Sequence, residues 1–290
     1  MATDFRPRTI GVLIDDTISL YRANWRTILK ISGIVMLPAA VTYSIISIFY
    51  LRAVAEWFVS FVGSAALSSG GPPQLDPAIT IIAAISSVAA LAYQVAGVFL
   101  AATLYANAGV LLEGAKPPLR SMLKAGAVAF LPLLIVDFAV RWAAGIAGAL
   151  SLYVGGLVVA VLFAVAGPVV VIEGVIGAAF KRSLSLVRGN FWRVALFAAG
   201  AYFISTQFES ALASPVVLRE VIFGAQQQSV LTAQLAWGWK VFDGVLQGVA
   251  IAIVVPFLDL AFLQCYLDLR SREEGMDLVV RARALTDAAR

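Results

Sequence analysis

Three ionisable residues lie inside long apolar segments, and these are the side chains most able to do chemistry. Asp137 and Arg141 are four residues apart, a spacing that places an acid and a base on one face of a helix. Asp259 follows Pro256, which has no N–H and so frees a backbone carbonyl near residue 252. Carboxylates and irregular backbone occur together in the ion sites of transporters. Because a charge inside a membrane is costly, Asp137, Arg141 and Asp259 form a candidate intramembrane polar site.

A structural role competes with ligand or proton binding at each of these positions. Asp137 and Arg141 can neutralise each other and hold their segment against its neighbours. Asp259 can pair with a cation from another segment, such as Arg188 or Lys30. The residue types favour these structural roles, and both interpretations stay open at this point.

The composition explains why apolar segments dominate, and it excludes most catalytic chemistry. The 290 residues are 61% hydrophobic and 13% charged, with a mean hydropathy of +0.92, which leaves too little polar surface for a protein in water. There is no histidine and one cysteine, Cys265. Histidine catalysis, zinc sites with nitrogen or sulfur ligands and intrachain disulfides are therefore excluded. We predict an integral membrane protein that is not an enzyme, with no catalytic residues, metal or cofactor.

Six apolar stretches are long enough to cross a bilayer as helices. They lie at about 28–51, 79–105, 126–149, 152–172, 191–213 and 241–267. With six spans, the Lys and Arg residues fall on the side of both termini with four exceptions, which are Arg52, Arg141, Arg219 and Lys240. This asymmetry predicts that both termini are cytoplasmic.

Two segments that precede predicted spans repeat each other at a constant offset of 166 residues. Residues 10–25 (IGVLIDDTISLYRANW) align with residues 176–191 (IGAAFKRSLSLVRGNF), and six positions are identical. In both copies the apolar residues fall on one helix face, although each segment is too charged to span. We therefore predict two amphipathic entry helices at the cytoplasmic interface, which turn into the membrane near Asn24 and Asn190.

The polar faces of these entry helices carry the cations best placed to meet lipid headgroups. They are Arg22, Arg26, Lys181, Arg182 and Arg188. Each can contribute about 1 kcal/mol of attraction to an anionic lipid surface, although ordinary positive-inside topology also explains them. Anionic membrane lipids are thus the predicted partners, and a protein partner stays open. Nucleic acid is not expected, because the chain has no soluble basic domain.

A weaker third copy and a recurring dipeptide complete the pattern. The copy, at residues 117–124, precedes the third span, and Glu-Gly pairs close all three hairpins. The chain thus divides into units of about 8–113, 116–173 and 175–275, with a cytoplasmic tail at 276–290, inside one polytopic domain, 1–290. Small residues four apart, as at Gly244 and Gly248, predict close helix packing. The predicted fold is an all-α integral membrane protein with six transmembrane helices in three hairpins, each preceded by an amphipathic interfacial helix.

Three stretches of the chain carry a family resemblance. They are FRPRTIGVLIDDTISLYRANWRTILKISGIVMLPA, FKRSLSLVRGNFWRV and PFLDLAFLQCYLDLRSREEGMDL. They resemble the bacterial membrane-domain family named after the glycerophosphoryl diester phosphodiesterase membrane domain, over nearly the whole chain. The resemblance implies a multi-pass protein of the bacterial cytoplasmic membrane. In some members of that family the membrane domain is followed by a catalytic domain that relies on histidines. The present sequence has no histidine, so the resemblance extends to the membrane domain only.

Two hypotheses about function follow. The favoured one is a non-catalytic inner-membrane protein that binds lipid or acts as an accessory or scaffold for a membrane-associated complex. The alternative is a small transporter or permease that uses Asp137, Arg141 and Asp259, which requires these three groups to share one cavity. An enzyme that acts on lipid is the weakest candidate, because no paired-carboxylate motif, Ser-x-x-Lys or phosphate-binding glycine loop is present.

Overall fold

The computed structural model describes residues 8–66, 77–115, 117–174, 176–224 and 237–274. All regular secondary structure within these ranges is α-helical, as expected for apolar segments that must satisfy their own backbone hydrogen bonds. The helices are α1 (Ile10–Val35), α2 (Leu37–Ala66), α3 (Pro77–Ala106), α4 (Ala108–Glu113), α5 (Leu119–Leu150), α6 (Val154–Leu162), α7 (Ala166–Glu173), α8 (Ile176–Arg188), α9 (Phe191–Gly224) and α10 (Trp237–Glu274). The predicted tail at 276–290 lies outside the described residues.

Five segments of the described chain are long and apolar enough to cross a membrane. They are Leu37–Ala55, Pro77–Ala106, Leu119–Leu150, Val154–Glu173 and Gly238–Glu273. The predicted span at 191–213 lies on α9 and is not among them. Arg193 and Glu209 interrupt its apolar sequence. An all-α, multi-pass membrane architecture is confirmed, whereas the sixth span and the hairpin layout stay predictions.

The two entry segments begin alike and end differently. The helices start at the aligned residues Ile10 and Ile176. The predicted corner at Asn190 is confirmed as a helix break, because α8 ends at Arg188 and α9 begins at Phe191. The corner predicted near Asn24 is wrong, since α1 continues through it to Val35.

The first interruption after α1 comes instead at Met36. Pro38 lies two residues later and has no N–H to donate to the Ile34 carbonyl, which removes one helical hydrogen bond. The Met36 and Ala40 amides still donate to the Ser32 and Met36 carbonyls, at 2.7 and 2.8 Å. The interruption is therefore local.

The recurring Glu-Gly pairs mark helix ends. The helices α4, α7 and α10 end at Glu113, Glu173 and Glu274. Gly114 and Gly174 follow with φ of 71° and 72°, the left-handed conformation that glycine adopts most easily. The pairs Glu113-Gly114 and Glu173-Gly174 therefore act as C-terminal stop signals, whereas Gly275 of the third pair lies outside the described residues.

The chain forms two compact units that do not follow the boundaries of the predicted repeats. The first consists of Met1–Ile31, Val98–Ser205 and Val255–Arg290, and the second consists of Ser32–Gly97 and Thr206–Val254. Within the first unit, α5 packs against α6 and α7, and α8 packs against α7.

Small residues allow close helix packing inside each unit. In the first, a Cβ on Gly156 would lie 2.7 Å from the Ala144 carbonyl oxygen. In the second, a Cβ on Gly248 would lie 2.5 Å from the Val41 Cα, and one on Gly244 would meet Ile45. Since no side chain fits at these distances, the predicted packing role of the small residues is confirmed.

Candidate functional site

The predicted ion pair on α5 is present. The Arg141 Nε donates to the Asp137 Oδ2 at 2.6 Å. The Arg141 side chain is 56% exposed and that of Asp137 is 28% exposed, so the pair lies at the helix surface. Each charge is neutralised by the other, which lowers the cost of placing both on an apolar helix.

Asp259 differs from this pair in the part of the chain that the structure describes. Its Oδ2 is buried and accepts no hydrogen bond from any residue that the structure describes. The suggested pairing with Arg188 or Lys30 is wrong, because both of these cations are exposed and neither contacts Asp259 in the described chain. The charges that act on Asp259 are those of Asp137 and Arg141. The three predicted polar residues are therefore brought within electrostatic range of one another.

Two tyrosines that sequence reasoning missed belong to the same neighbourhood. Tyr105 and Tyr202 both lie within electrostatic range of Asp137 and Asp259. Tyr105 is 6% exposed, and a Cβ on Gly167 would lie 3.3 Å from its ring. Carboxylates and phenol hydroxyls together can hold a proton or a small cation. Both tyrosines lie in predicted apolar spans. This position alone is a weak indication of a site, because tyrosine is common in such segments.

The backbone carbonyl that Pro256 frees is already satisfied. The Ala252 carbonyl oxygen, four residues before Pro256, accepts a hydrogen bond from the Ser32 Oγ. The prediction of a freed carbonyl near residue 252 is confirmed, but the carbonyl is engaged by a protein hydroxyl. It therefore adds no ligand to a site around Asp259.

The predicted lipid-facing cations fall into two groups. Arg22, Arg26, Lys181 and Arg188 are exposed on α1 and α8, and none has an acidic partner among the described residues. Arg182 differs, because its guanidinium lies 3.5 Å from Glu173 and 3.6 Å from Glu273. In the described chain, Arg182 therefore forms ion pairs within the protein.

Tyr21, on the entry helix α1, is uncharged at neutral pH. Burial raises the pKa of its hydroxyl to about 12, because removing the phenolate from water disfavours the charged form. Its ring meets Phe257 edge to face, with the ring centres 6.5 Å apart. Tyr21 therefore contributes packing, with no charge, beside the cations of the entry helix.

Another polar cluster of the described chain surrounds Asp268, a residue outside the predicted site. The Asp268 side chain is 2% exposed, and its Oδ2 accepts hydrogen bonds from Arg193 Nη2 and Arg272 Nε, both at 2.9 Å. Its Oδ1 accepts from the Arg8 backbone N–H at 3.1 Å. Arg193 and Arg272 also donate to the Arg8 carbonyl. This cluster joins α9, α10 and the chain that leads into α1.

A second cluster includes Tyr266 and Arg270 of α10, each two residues from Asp268. The Tyr266 hydroxyl donates to Glu173 Oε1 at 2.8 Å and accepts from Arg270 Nη1 at 3.2 Å. Together with Arg182, these contacts connect α7, α8 and α10. An Asp or Tyr among closely spaced arginines near the end of the last span was the available signal for both clusters.

The described residues contain no group of three or more His, Cys, Asp or Glu side chains that could hold a metal ion. No protein-family model, curated protein or solved structure matches the chain. The structure thus shows the class of protein, which is a multi-pass α-helical membrane protein. Its own residues are the evidence for its function.

Proposed function

We propose that this protein is a non-catalytic, multi-pass protein of the bacterial cytoplasmic membrane that binds anionic lipids through its basic entry helices. It would hold such lipids, or organise a membrane-associated complex, on the side of both termini. The membrane-domain resemblance agrees with a multi-pass protein of the bacterial cytoplasmic membrane, and the two repeated segments supply the proposed lipid-facing surface.

One observation carries the proposal, namely how the cations are sorted. Cations directed into the protein, such as Arg182 and Arg193, are paired with acids. Cations on the outer faces of α1 and α8 have no acidic partner within the described chain. An unpaired cation beside apolar helices that reach into a bilayer is favourable where anionic headgroups surround it.

The buried faces of the entry segments support an amphipathic role. Leu13, Thr17 and Leu20 of α1 are buried, and so are their counterparts at the repeat offset. Those counterparts are Ala179, Ser183 and Leu186. The same face packs inward in both copies, which leaves the basic face outward as expected for interfacial helices.

The test is native mass spectrometry of the protein in nanodiscs that contain mixed anionic and neutral phospholipids. Replacing Arg22, Lys181 and Arg188 with Glu should reduce the retained anionic lipid about tenfold or more, since three favourable charges become three unfavourable ones. Lys240→Glu is the control. It reverses one charge on the predicted outer side of the membrane and should leave the retained anionic lipid unchanged. Unchanged retention in the triple variant would refute the proposal.

One observation favours the second candidate, a small transporter or permease. The Asp259 Oδ2 is buried without a hydrogen-bond donor in the described chain, within electrostatic range of the Asp137–Arg141 pair. A carboxylate in that position is a natural proton or cation site.

Proton flux into proteoliposomes, driven by a membrane potential and followed with an internal pH dye, tests this candidate. It predicts flux above that of protein-free vesicles, and loss of the flux in Asp259→Asn. Glu209→Gln, a change of the same kind on α9, should keep it. Wild-type flux no greater than that of empty vesicles would remove proton transport as a function.

A further inference from the structure

A cavity of about 520 Å³ lies between α1 and the start of α5. Its walls include Asn24, Trp25, Arg26, Lys30, Pro117 and Leu119. None of its lining residues is acidic. The cavity is therefore positively charged on the α1 side and apolar on the α5 side.

Two cations one helical turn apart border this cavity. Arg26 and Lys30 are exposed, and neither has an acidic partner among the described residues. The Arg26 guanidinium lies over the Trp25 ring, 5.3 Å from its centre. Stacking of this kind orients the guanidinium and leaves its N–H edge available to an anion.

Both walls of the cavity are fixed to the same part of the protein by buried amides. The Asn24 Nδ2 donates to the Leu111 carbonyl at 3.1 Å, which joins α1 to α4. The Asn107 Nδ2 donates to the Met122 carbonyl at 3.2 Å, which joins the α3–α4 break to α5. A cavity whose walls are held in this way needs little ordering when a ligand binds.

The position of the cavity points to a lipid headgroup. Leu119, in its wall, is the first residue of the candidate span Leu119–Leu150. This helix has 32 residues and is about 48 Å long, longer than a hydrocarbon core of about 30 Å. Trp25 is 48% exposed beside the cavity, and tryptophan favours the headgroup layer.

We propose that this cavity is a site for the phosphate group of one anionic phospholipid, an inference that rests on the proposed lipid-binding function. Arg26 and Lys30 bind the phosphate, and Trp25, Pro117 and Leu119 border the glycerol and the upper acyl chains. The second entry segment cannot form the same site. At the repeat offset, Arg26 and Lys30 correspond to the exposed, uncharged Trp192 and Leu196.

The test uses native mass spectrometry of the full chain in nanodiscs of phosphatidylglycerol and phosphatidylcholine. We expect the wild type to retain one phosphatidylglycerol per chain, and an R26Q/K30Q variant to lose it about tenfold or more. The matched control R120Q/K124Q removes two exposed cations from α5, neither of which lines the cavity, and should retain that lipid. R26K/K30R, which keeps both charges, should also retain it and shows that loss does not come from misfolding.

The outcomes separate this site from the general proposal. Equal loss in R26Q/K30Q and R120Q/K124Q would overturn the discrete site and leave general lipid binding intact. No loss in R26Q/K30Q would overturn the discrete site, and unchanged retention in R22E/K181E/R188E as well would overturn the general proposal. Titration with inorganic phosphate in phosphatidylcholine nanodiscs distinguishes the sources of the phosphate. Saturable binding there, with no preference for phosphatidylglycerol, would assign the cavity to a soluble phosphate and overturn the lipid site.

Discussion

The two entry segments share a buried face, but the first cation after the shared asparagine faces opposite directions in the two copies. Both copies bury equivalent positions well beyond the region of sequence identity, including Ile28 with Val194 and Ile31 with Phe197. After Asn24, α1 continues and presents Arg26 outward. After Asn190, a new helix begins and Arg193 points inward to the buried Asp268. The buried face that both segments share thus determines how each segment packs. The residues after the asparagine determine whether the next cation is exposed or binds a buried acid.

A single position explains much of this difference. Ala23 in the first copy corresponds to Gly189 in the second. Alanine has the highest helix propensity and glycine is about 1 kcal/mol less favourable, so the first helix continues where the second stops. Both copies carry the asparagine, so the repeat by itself predicts a corner in each.

The largest expected effect comes from removing the buried carboxylate to which Arg193 is hydrogen-bonded. Asp268→Asn leaves Arg193 and Arg272 without their buried carboxylate, and should lower the free energy of unfolding by about 3 kcal/mol. The measurement is an SDS unfolding titration in mixed micelles. Asp15→Asn, an exposed carboxylate on α1, is the control and should change stability by less than about 0.5 kcal/mol. Equal stability of the two variants would show that the Asp268 cluster does not hold the second copy in place.

A smaller effect distinguishes the two asparagines. Asn24 is buried and donates to the carbonyls of Leu20 and Leu111, both at 3.1 Å. Asn24→Ala should therefore cost about 2 kcal/mol, because the Leu111 carbonyl loses its donor. Within the described chain, the Asn190 side chain donates one long hydrogen bond, from Nδ2 to the Leu186 carbonyl at 3.5 Å.

The same SDS titration compares Asn24→Ala with Asn190→Ala, which should cost about 0.5 kcal/mol. A larger loss for Asn190→Ala would reverse the assignment of the bridging role to the first copy.

The smallest effect comes from exchanging the residues that precede the asparagines. Ala23→Gly lies in an exposed helix interior and should cost about 1 kcal/mol. Gly189→Ala should be close to neutral, since a Cβ there meets no atom within 4 Å and the helix already ends. Thermal midpoints in detergent would show this asymmetry, and equal shifts for both substitutions would contradict it.

Local patterns were predictable from the sequence. The Asp137–Arg141 pair, the carbonyl freed by Pro256 and the helix stops at Glu-Gly depend on residues within four positions of each other. Close packing at Gly248 was also predictable, because only small residues permit such an approach.

Contacts between distant segments were not predictable. Arg8 and Asp268 are 260 residues apart, and nothing in either local sequence selects the other. The proximity of Tyr105 to Asp259 has the same origin. Hydropathy also does not decide whether α9 crosses the membrane, because Arg193 and Glu209 interrupt its apolar sequence, so the sixth span stays a prediction.

The hydrogen bond from Ser32 to the Ala252 carbonyl has a consequence for how the sequence can change during evolution. While Pro256 is present, a hydroxyl at position 32 supplies the donor that the helix itself lacks. If Pro256 is replaced by a residue with an N–H, position 256 can donate to the same carbonyl, and position 32 is released to become alanine or glycine. Among related chains, serine at position 32 and proline at position 256 should therefore be gained and lost together.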